Sequence, residues 1–477
     1  MNNSWLALLP LILLAGTALL LLVLEAFLKS EEKAYLGYIA AAALAGCGYT
    51  FVRFWNKQLS FFKGSLKFDN LSLLFGFLFL LAGLFVVLIS LKYVSLVLTN
   101  IGEFYPLLLF GLAGLVIMAT SANLLVIFLG LEVLSVSSYA LAGLRLKEAR
   151  SSEAALKYFL LGSFAGAFFV FGLALLFGAS GSVEIPALAQ SLAPGSPTAR
   201  LGLAGLALVL AGLAFKIALV PFHMWTPDVY EGAPTPVAAF FSVGPKAAGF
   251  AVLLRLLSPY WKTGFRSGTM FWILYALAAL TMVVANLAAL RQTNVKRLLA
   301  YSSIAQAGYI LVAVLAGDPE KLIFYLAVYV FMNLGAFAAI SALGRRDAEF
   351  VELDDYAGLG FKYPWLGATL SIFLLSLAGF PPTAGFLAKF YVFSSAVRQG
   401  LTPLVIIGVL ASLVSVYYYL KIIVFMYMRP PSREVEAGLQ SPELFLVLFL
   451  CLYGVLQMGI NPGNILALIR QAVATLP

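Results

Sequence analysis

The sequence is divided into long apolar runs, most of them close to the length that crosses a lipid bilayer. A transmembrane helix needs ~20 predominantly apolar residues. The runs are continuous and do not alternate between apolar and polar residues, so they predict helices and not the strands of a barrel. We identify fourteen segments, at residues 4–27, 35–54, 70–95, 105–120, 122–144, 155–178, 201–223, 234–257, 270–290, 297–316, 321–343, 365–397, 402–427 and 443–460.

The composition supports a membrane protein. Of the 477 residues, 62% are hydrophobic and 11% are charged, whereas soluble domains carry ~25% charged residues. The longest stretches between the segments, 179–200 and 344–364, are too short to form a soluble domain. We therefore predict an all-α polytopic protein, multi-pass in the lipid bilayer, whose function lies within the membrane or at a protein partner.

Several classes of chemistry are excluded by the residue types available. Cys47 and Cys451 lie far apart in apolar segments, His223 is the single histidine, and no glycine-rich phosphate loop follows a strand. The net charge of +9 comes from basic residues in short loops, as membrane topology requires, and no basic aromatic stripe indicates nucleic acid. We expect no cofactor, no metal, no nucleic-acid partner and no redox or hydrolytic centre in this chain.

Four ionisable residues stand within the predicted helices. Glu132 follows the start of its segment by ten residues, Lys216 and Lys389 lie within apolar helices, and Lys246 comes ten residues after Pro236. At 1.5 Å per residue, ten residues correspond to ~15 Å, close to the middle of the hydrocarbon. A single charge there costs ~2.5–3.5 kcal/mol on insertion scales, so these side chains should face the interior of the bundle.

The four residues are one acid and three bases, and this imbalance indicates a function. Burial disfavours the charged form of a lysine, whereas a nearby carboxylate favours it. Three lysines cannot all be neutralised by Glu132, so a row of such groups, bridged by water and hydroxyls, predicts a proton relay. The alternative is a set of static ion pairs that fixes helix packing.

Prolines interrupt two of the predicted helices. Pro221 follows Lys216 by five residues, and Pro381 and Pro382 precede Lys389. Proline removes a backbone donor, and membranes tolerate broken helices where the freed groups line a cavity. The interrupted segments are the seventh and the twelfth, which suggests two five-helix repeats (helices 4–8 and 9–13). The predicted domains are 1–100 (helices 1–3), 105–257 and 270–427 (the repeats), and 443–477 (helix 14 and tail).

Four stretches resemble a known family: "LEVLSVSSYAL", "FKIALVPFHMWTPDVYEGAPTPVAAFFSVGPKAAGF", "RQTNVKRLLAYSSIAQAGYIL" and "GFPPTAGFLAKFYVF". They are similar to the antiporter-like membrane subunits of respiratory complex I, and most similar to the subunit N branch. A lysine at position 389 favours that branch over subunit M, and the lack of a long C-terminal amphipathic helix argues against subunit L.

The resemblance implies that the two five-helix repeats are inverted, each with a broken helix, and it implies a role for each buried group. Glu132 and Lys216 would form the coupling pair, Lys246 the central relay, and Lys389 the connection to the far side. The chain would move protons in an inner or cytoplasmic membrane while FMN, iron–sulfur clusters and quinone act elsewhere in the complex. Its partners would be a second antiporter-like subunit and small helical subunits.

Two further residues and two further functions remain open. His223 either hydrogen-bonds the broken backbone or joins the relay, and Lys157 is either an interface anchor or a helper of the relay. The alternative functions are a subunit of a Mrp-type cation/proton antiporter and a structural membrane scaffold whose buried charges only specify helix register.

Overall fold

A computed structural model of the protein describes residues 8–29, 33–98, 102–191, 196–261, 268–345, 348–431 and 435–476. Twelve helices in this part of the chain are long and apolar enough to span a membrane, and two shorter apolar helices, Phe104–Thr120 and Pro364–Ala378, cover two more of the predicted segments. The all-α prediction is confirmed. The first four residues predicted for the first helix, 4–7, lie outside the described residues. The total of fourteen spans, the inverted repeats and the domain boundaries stay predictions.

The amino-terminal third contains six helices and a hairpin. Asp69 and Asn123 cap α3 and α5 by accepting from backbone N–H groups of the first turn. The elements are α1 (Leu9–Phe27), α2 (Ala34–Phe54), β1 (Leu59–Phe61), β2 (Leu66–Phe68), α3 (Asn70–Val97), α4 (Phe104–Thr120), α5 (Leu124–Ala142) and α6 (Ala149–Ser180). Strands β1 and β2 are antiparallel, with Leu59 opposite Phe68.

The middle of the chain contains the first interrupted helix and the most buried helices of the protein. Its elements are α7 (Ile185–Ser191), α8 (Ala199–Lys216), α9 (Trp225–Gly232), α10 (Thr235–Trp261), α11 (Thr269–Ala289), α12 (Val295–Ala316) and α13 (Pro319–Ser341). The predicted helix 201–223 ends earlier than expected, at Lys216. Ala218 has φ +61°, a left-handed conformation that ends a helix, three residues before Pro221.

The carboxy-terminal part contains the second interrupted helix. Its elements are β3 (Gly344–Arg345), β4 (Ala348–Glu349), α14 (Leu359–Lys362), α15 (Pro364–Ala378), α16 (Ala384–Arg398), α17 (Thr402–Met428), α18 (Pro442–Ile460) and α19 (Gly463–Val473). The predicted segment 365–397 is thus two helices, separated at Pro381 and Pro382 as the sequence indicates. Strands β3 and β4 pair antiparallel.

The core of the bundle is built around α10. An apolar stretch of 18 residues in α10 is fully buried, and the corresponding stretches of α12 and α13 are 94% buried. Helices α1 and α6, in contrast, present much of their surface outward. Small residues allow the close packing of α10. A Cβ on Gly249, for example, would lie 2.3 Å from the side chain of Ile217. The helix that carries Lys246 is therefore surrounded by protein.

Candidate functional site

The interruption after α8 places Lys216 at a helix end inside the bundle. Between α8 and α9 the Val220–Pro221 peptide bond is cis. Neighbouring side chains satisfy the freed backbone groups: Thr281 Oγ1 accepts from Val220 N at 3.0 Å, and Trp225 Nε1 donates to the carbonyl of Phe215 at 3.0 Å. Lys216 is the last residue of α8, where the helix dipole favours a cation.

Lys216 is bonded to hydroxyl groups. Its Nζ donates to Ser135 Oγ at 3.0 Å and to Tyr158 OH at 3.4 Å, and it lies 5.5 Å from the centre of the Tyr158 ring. The side chain is almost fully buried. Ser135 lies on α5, the helix of Glu132, so the predicted pair occupies adjacent helices.

Glu132 and Lys216 do not form a direct ion pair. Among the described residues no salt bridge within 4.0 Å joins them, and Glu132 is only half-buried. A cavity of about 10 Å³ lies against Ser135, Gly166 and Lys216, and Glu132 Oε1 is 3.0 Å from the position of a Cβ on Gly166. The volume of the cavity is about the space that one water molecule needs. Lys216 therefore lines the cavity, and the Glu132 carboxylate lies against Gly166, another of its lining residues.

Lys246 lies at the middle of α10, one residue after Pro245 within the helix. Its Nζ donates to the carbonyl and to the hydroxyl of Ser303 on α12. The same hydroxyl accepts from Tyr329 OH of α13 at 2.8 Å. The lysine is therefore enclosed by three core helices.

A polar network continues from Ser303 along α12. The hydroxyl of its neighbour Ser302 is hydrogen-bonded to Tyr419 of α17. One turn further, Gln306 Nε2 lies 3.4 Å from the same Tyr419 hydroxyl, and its Oε1 accepts from Tyr325 OH. Gln306 Nε2 also donates to the carbonyl of Leu377, at the end of α15, at 3.2 Å. The network leads from the region of Lys246 to the second interruption.

Lys389 lies at that interruption. Its Nζ donates to the carbonyls of Leu377 and Ala378 at 3.0 and 2.9 Å and to Ser412 Oγ at 2.9 Å. The last carbonyls of a helix carry the negative end of its dipole, so α15 stabilises the ammonium group. Tyr309 presents its ring 5.0 Å away. The Pro381–Pro382 peptide bond in this interruption is also cis.

A groove of about 800 Å³ leads from Lys389 to the outside of the bundle. Its walls are mostly apolar and include Phe390 and Leu413, both more than half exposed. Arg398 lines the same groove at the end of α16. Lys389 is thus the one of the three lysines that borders a large opening.

The other two predicted residues, Lys157 and His223, make no hydrogen bond to the three lysines within the described structure. Lys157 is 41% exposed and pairs with Glu153 at 2.6 Å and with Asp228 at 2.7 Å, as an interface anchor would. The next residue, Tyr158, is the one that touches Lys216. His223 is half-buried, and its Nδ1 has no hydrogen-bond partner among the described residues.

Comparison with known proteins identifies the family. The family model described as "NADH:quinone oxidoreductase/Mrp antiporter, TM" matches residues 121–415, which include Glu132 and all three lysines. NADH-quinone oxidoreductase subunit N of Trichlorobacter lovleyi is 45% identical over 470 residues, covering 97% of this chain and 96% of that protein. The chain belongs to the subunit N family of antiporter-like membrane subunits.

Solved structures agree with membership in the subunit N family. A chain of respiratory complex I from Thermus thermophilus with bound aureothin has a TM-score of 0.83 at 38% identity, covering 96% of this chain and 98% of that one. A chain of the Mrp complex from Dietzia sp. DQ12-45-1b also has a TM-score of 0.83, covering 98% and 97%. At 22% identity the Mrp likeness shows the fold alone.

The polar network that lies between Lys246 and Lys389 in this chain was not predicted from the sequence. Tyr325, Tyr329 and Tyr419 occur in apolar segments and do not stand out there. A signal existed in "AYSSIAQAGY", where Ser302, Ser303 and Gln306 lie within five residues of one another on a largely buried helix. The described part of the chain holds no cluster of three or more His, Cys, Asp or Glu residues suited to a metal ion.

Proposed function

We propose that this chain translocates protons across an energy-transducing membrane, as a subunit of an NADH-quinone oxidoreductase, by passing them along Glu132, Lys216, Lys246 and Lys389. The single observation that carries the proposal is the kind of partner each lysine has. Within the described structure all three ammonium groups donate to hydroxyls or backbone carbonyls, and none has a carboxylate within 4.0 Å. Family membership supports the same conclusion.

The contrast with another buried lysine argues against a scaffold. Lys296 is completely buried and is paired with Glu349 at 3.0 Å. A buried cation without a counter-ion is strongly destabilising, so a charge kept only for packing should have a carboxylate partner, as Lys296 has. Lys216, Lys246 and Lys389 lack one, which suits groups that are charged for only part of a cycle.

The relay would operate through the oxygens that surround each lysine. A protonated amine donates a proton toward a serine or tyrosine hydroxyl, and a neutral amine accepts one from it. When one lysine becomes charged, its field disfavours the charged form of the next, so a proton added at one end displaces a proton at the other. The cavity beside Glu132 and the groove beside Lys389 would be the two ends of this row.

The energy for transport must come from outside the chain. Moving one charge against the membrane potential costs ~2.3 kcal/mol per 100 mV. In the proposed assembly, FMN and iron–sulfur clusters of other subunits would carry electrons from NADH to quinone. A second antiporter-like subunit and small helical subunits would flank this one and transmit the change that this reaction produces.

Purification of the intact assembly tests the assignment to the complex. The chain is tagged, extracted gently from its native membrane, and assayed for copurifying proteins and NADH-quinone reductase activity. Flavin and iron–sulfur subunits with activity support the proposal. Recovery of only membrane antiporter subunits, without redox partners, would instead establish the Mrp-type alternative.

Substitution of the central lysine tests the relay. Lys246→Met retains an unbranched side chain and removes the charge. In proteoliposomes we expect the assembled variant to lose most NADH-driven proton uptake, whereas Lys421→Met, at a partly buried lysine near a helix end, retains it. Normal proton uptake by the Lys246 variant would favour the scaffold.

A further inference from the structure

The most densely hydrogen-bonded carboxylate in the described structure is Glu349, in strand β4 between α13 and α15. Its side chain is 4% exposed. Oε1 accepts from Tyr93 OH at 2.5 Å, from Thr235 N at 3.0 Å and from Thr235 Oγ1 at 2.5 Å. Oε2 accepts from Arg145 Nη1 at 2.8 Å and Lys296 Nζ at 3.0 Å. One carboxylate thus receives five hydrogen bonds.

The donors to Glu349 come from four separate parts of the fold. Tyr93 lies on α3, Arg145 follows α5, Thr235 begins α10, and Lys296 is the second residue of α12. A bond to the Thr235 N–H satisfies a donor that the first turn of a helix leaves free. Glu349 therefore fixes the amino ends of two core helices to each other.

These two helices are the ones that meet at the central lysine. Lys246 follows Thr235 by eleven residues, or ~16 Å along α10. Ser303, which accepts from Lys246, follows Lys296 by seven residues, two helical turns along the same face of α12. A change in the position of either amino end along its axis would change the contact between Lys246 and Ser303.

The carboxy-terminal half of α10 is held by a second buried ion pair. Arg255 Nη2 bonds Asp69 at 2.7 Å, and its Nε donates to the carbonyl of Ala119 at 3.0 Å. With Arg255 fixed, the bonds of Glu349 to Thr235 complete the attachment of α10 at both ends. The register of the helix then depends on Glu349.

We infer that Glu349 is a positioning residue of the proton path: it holds the amino ends of α10 and α12 in the register that brings Lys246 against Ser303. The consequence for transport rests on the function proposed above, whereas the effect on helix register does not. Glu349 itself stays in place and transfers no proton.

A matched control residue is available in the same ion cluster. Glu148 also pairs with Arg145, but it is 41% exposed and bonds neither α10 nor α12. Removing the charge of Glu148 perturbs Arg145 without removing a bond to either helix. Glu148→Gln should therefore leave the register of the two helices unchanged.

The experiment compares Glu349→Gln, Glu349→Asp and Glu148→Gln in the intact, active complex. Hydrogen exchange of residues 233–245 reports the amino end of α10, and proton uptake per electron transferred reports coupling. We expect Glu349→Gln to accelerate the exchange and to lower the proton uptake several-fold. Glu349→Asp, which keeps the charge on a shorter side chain, should recover part of both, and Glu148→Gln should match the unmodified complex.

The outcomes distinguish this inference from the proposed function. Unchanged exchange at 233–245 in Glu349→Gln would overturn the positioning role, as would faster exchange with normal proton uptake. Normal uptake in Lys246→Met, measured in parallel, would overturn the relay itself, while the exchange data would still report helix register. If Glu349→Gln does not assemble, hydrogen exchange and proton uptake are measured on Glu349→Asp instead. Exchange and uptake equal to those of the unmodified complex would then overturn the inference.

Discussion

Gln306 and Lys389 donate hydrogen bonds to the same backbone oxygen. The Gln306 Nε2 and the Lys389 Nζ lie 3.2 and 3.0 Å from the carbonyl oxygen of Leu377, which is the penultimate residue of α15. Gln306 also contacts Tyr325 and Tyr419, so it joins the core network to the lysine beside the groove. Two residues 83 positions apart, 306 and 389, thus meet at the broken helix.

Replacement of Gln306 by leucine should interrupt the path between Lys246 and Lys389. The leucine removes the amide that accepts from the Tyr325 hydroxyl, and the loss of this buried bond should cost ~1–3 kcal/mol in stability. We expect the complex to assemble and proton uptake in proteoliposomes to fall several-fold. Gln292→Leu is the control, since the Gln292 side chain bonds the Ala288 carbonyl of the preceding turn and lies outside the core network. Equal proton uptake by the two variants would remove Gln306 from the path.

Substitution of Gly166 by alanine should displace the Glu132 carboxylate. The added Cβ would lie 3.0 Å from Oε1, closer than normal contact, so the carboxylate must shift by a few tenths of an ångström. We expect turnover to slow while assembly is retained. Gly178→Ala on the same helix is the control because its Cβ would meet Leu201 at an ordinary 3.7 Å. Identical turnover in both variants would show that the position of the carboxylate is unimportant.

Lys389→Ala should abolish coupled transport without preventing assembly. The substitution removes the only lysine of the three that borders the large groove, and loss of a group that transfers a proton typically costs ~10²-fold or more in rate. The measurement is NADH-driven acidification of proteoliposomes, normalised to the assembled complex. Lys421→Ala, which loses a bond to the Gln292 carbonyl, is expected to remain near normal. Undiminished transport in Lys389→Ala would contradict its role.

Glu349 should stabilise the protein equally at all pH values near neutrality. Burial acts to raise its pKa, but the charges of Lys296 and Arg145 outweigh burial and lower the pKa from 4.5 to about 2. Its contribution, on the order of 3 kcal/mol, is therefore fully present above pH ~4.5 and is lost as the pH falls toward 2. We expect Glu349→Gln to lower the melting temperature by the same amount at any pH between ~5.5 and ~8. A difference that varies across this interval would show that a group of this cluster titrates there, either Glu349 itself or Lys296 once its carboxylate is removed.

The membrane class, the helical segments and the four ionisable residues within them could be predicted from the amino-acid sequence. These follow from local properties: the length and continuity of apolar runs, the cost of a charge in hydrocarbon, and the effect of proline on a helix. The end of α8 was predicted at 223 and lies at Lys216, because a left-handed Ala218 ends the helix before the proline is reached.

The contacts between these groups could not be predicted from the sequence and became visible in the folded protein. Three contacts depend on how distant helices pack: Lys246 faces Ser303, Gln306 and Lys389 share the Leu377 carbonyl, and Lys216 lines a small cavity together with Gly166, against which the Glu132 carboxylate lies. The partner of Lys296 likewise lies 53 positions away, in a short loop with many other acids. Apolar periodicity says that a helix is buried, but it does not specify which neighbour each buried polar side chain contacts. Those contacts separate the lysine held by a carboxylate from the three that have only neutral oxygens as partners.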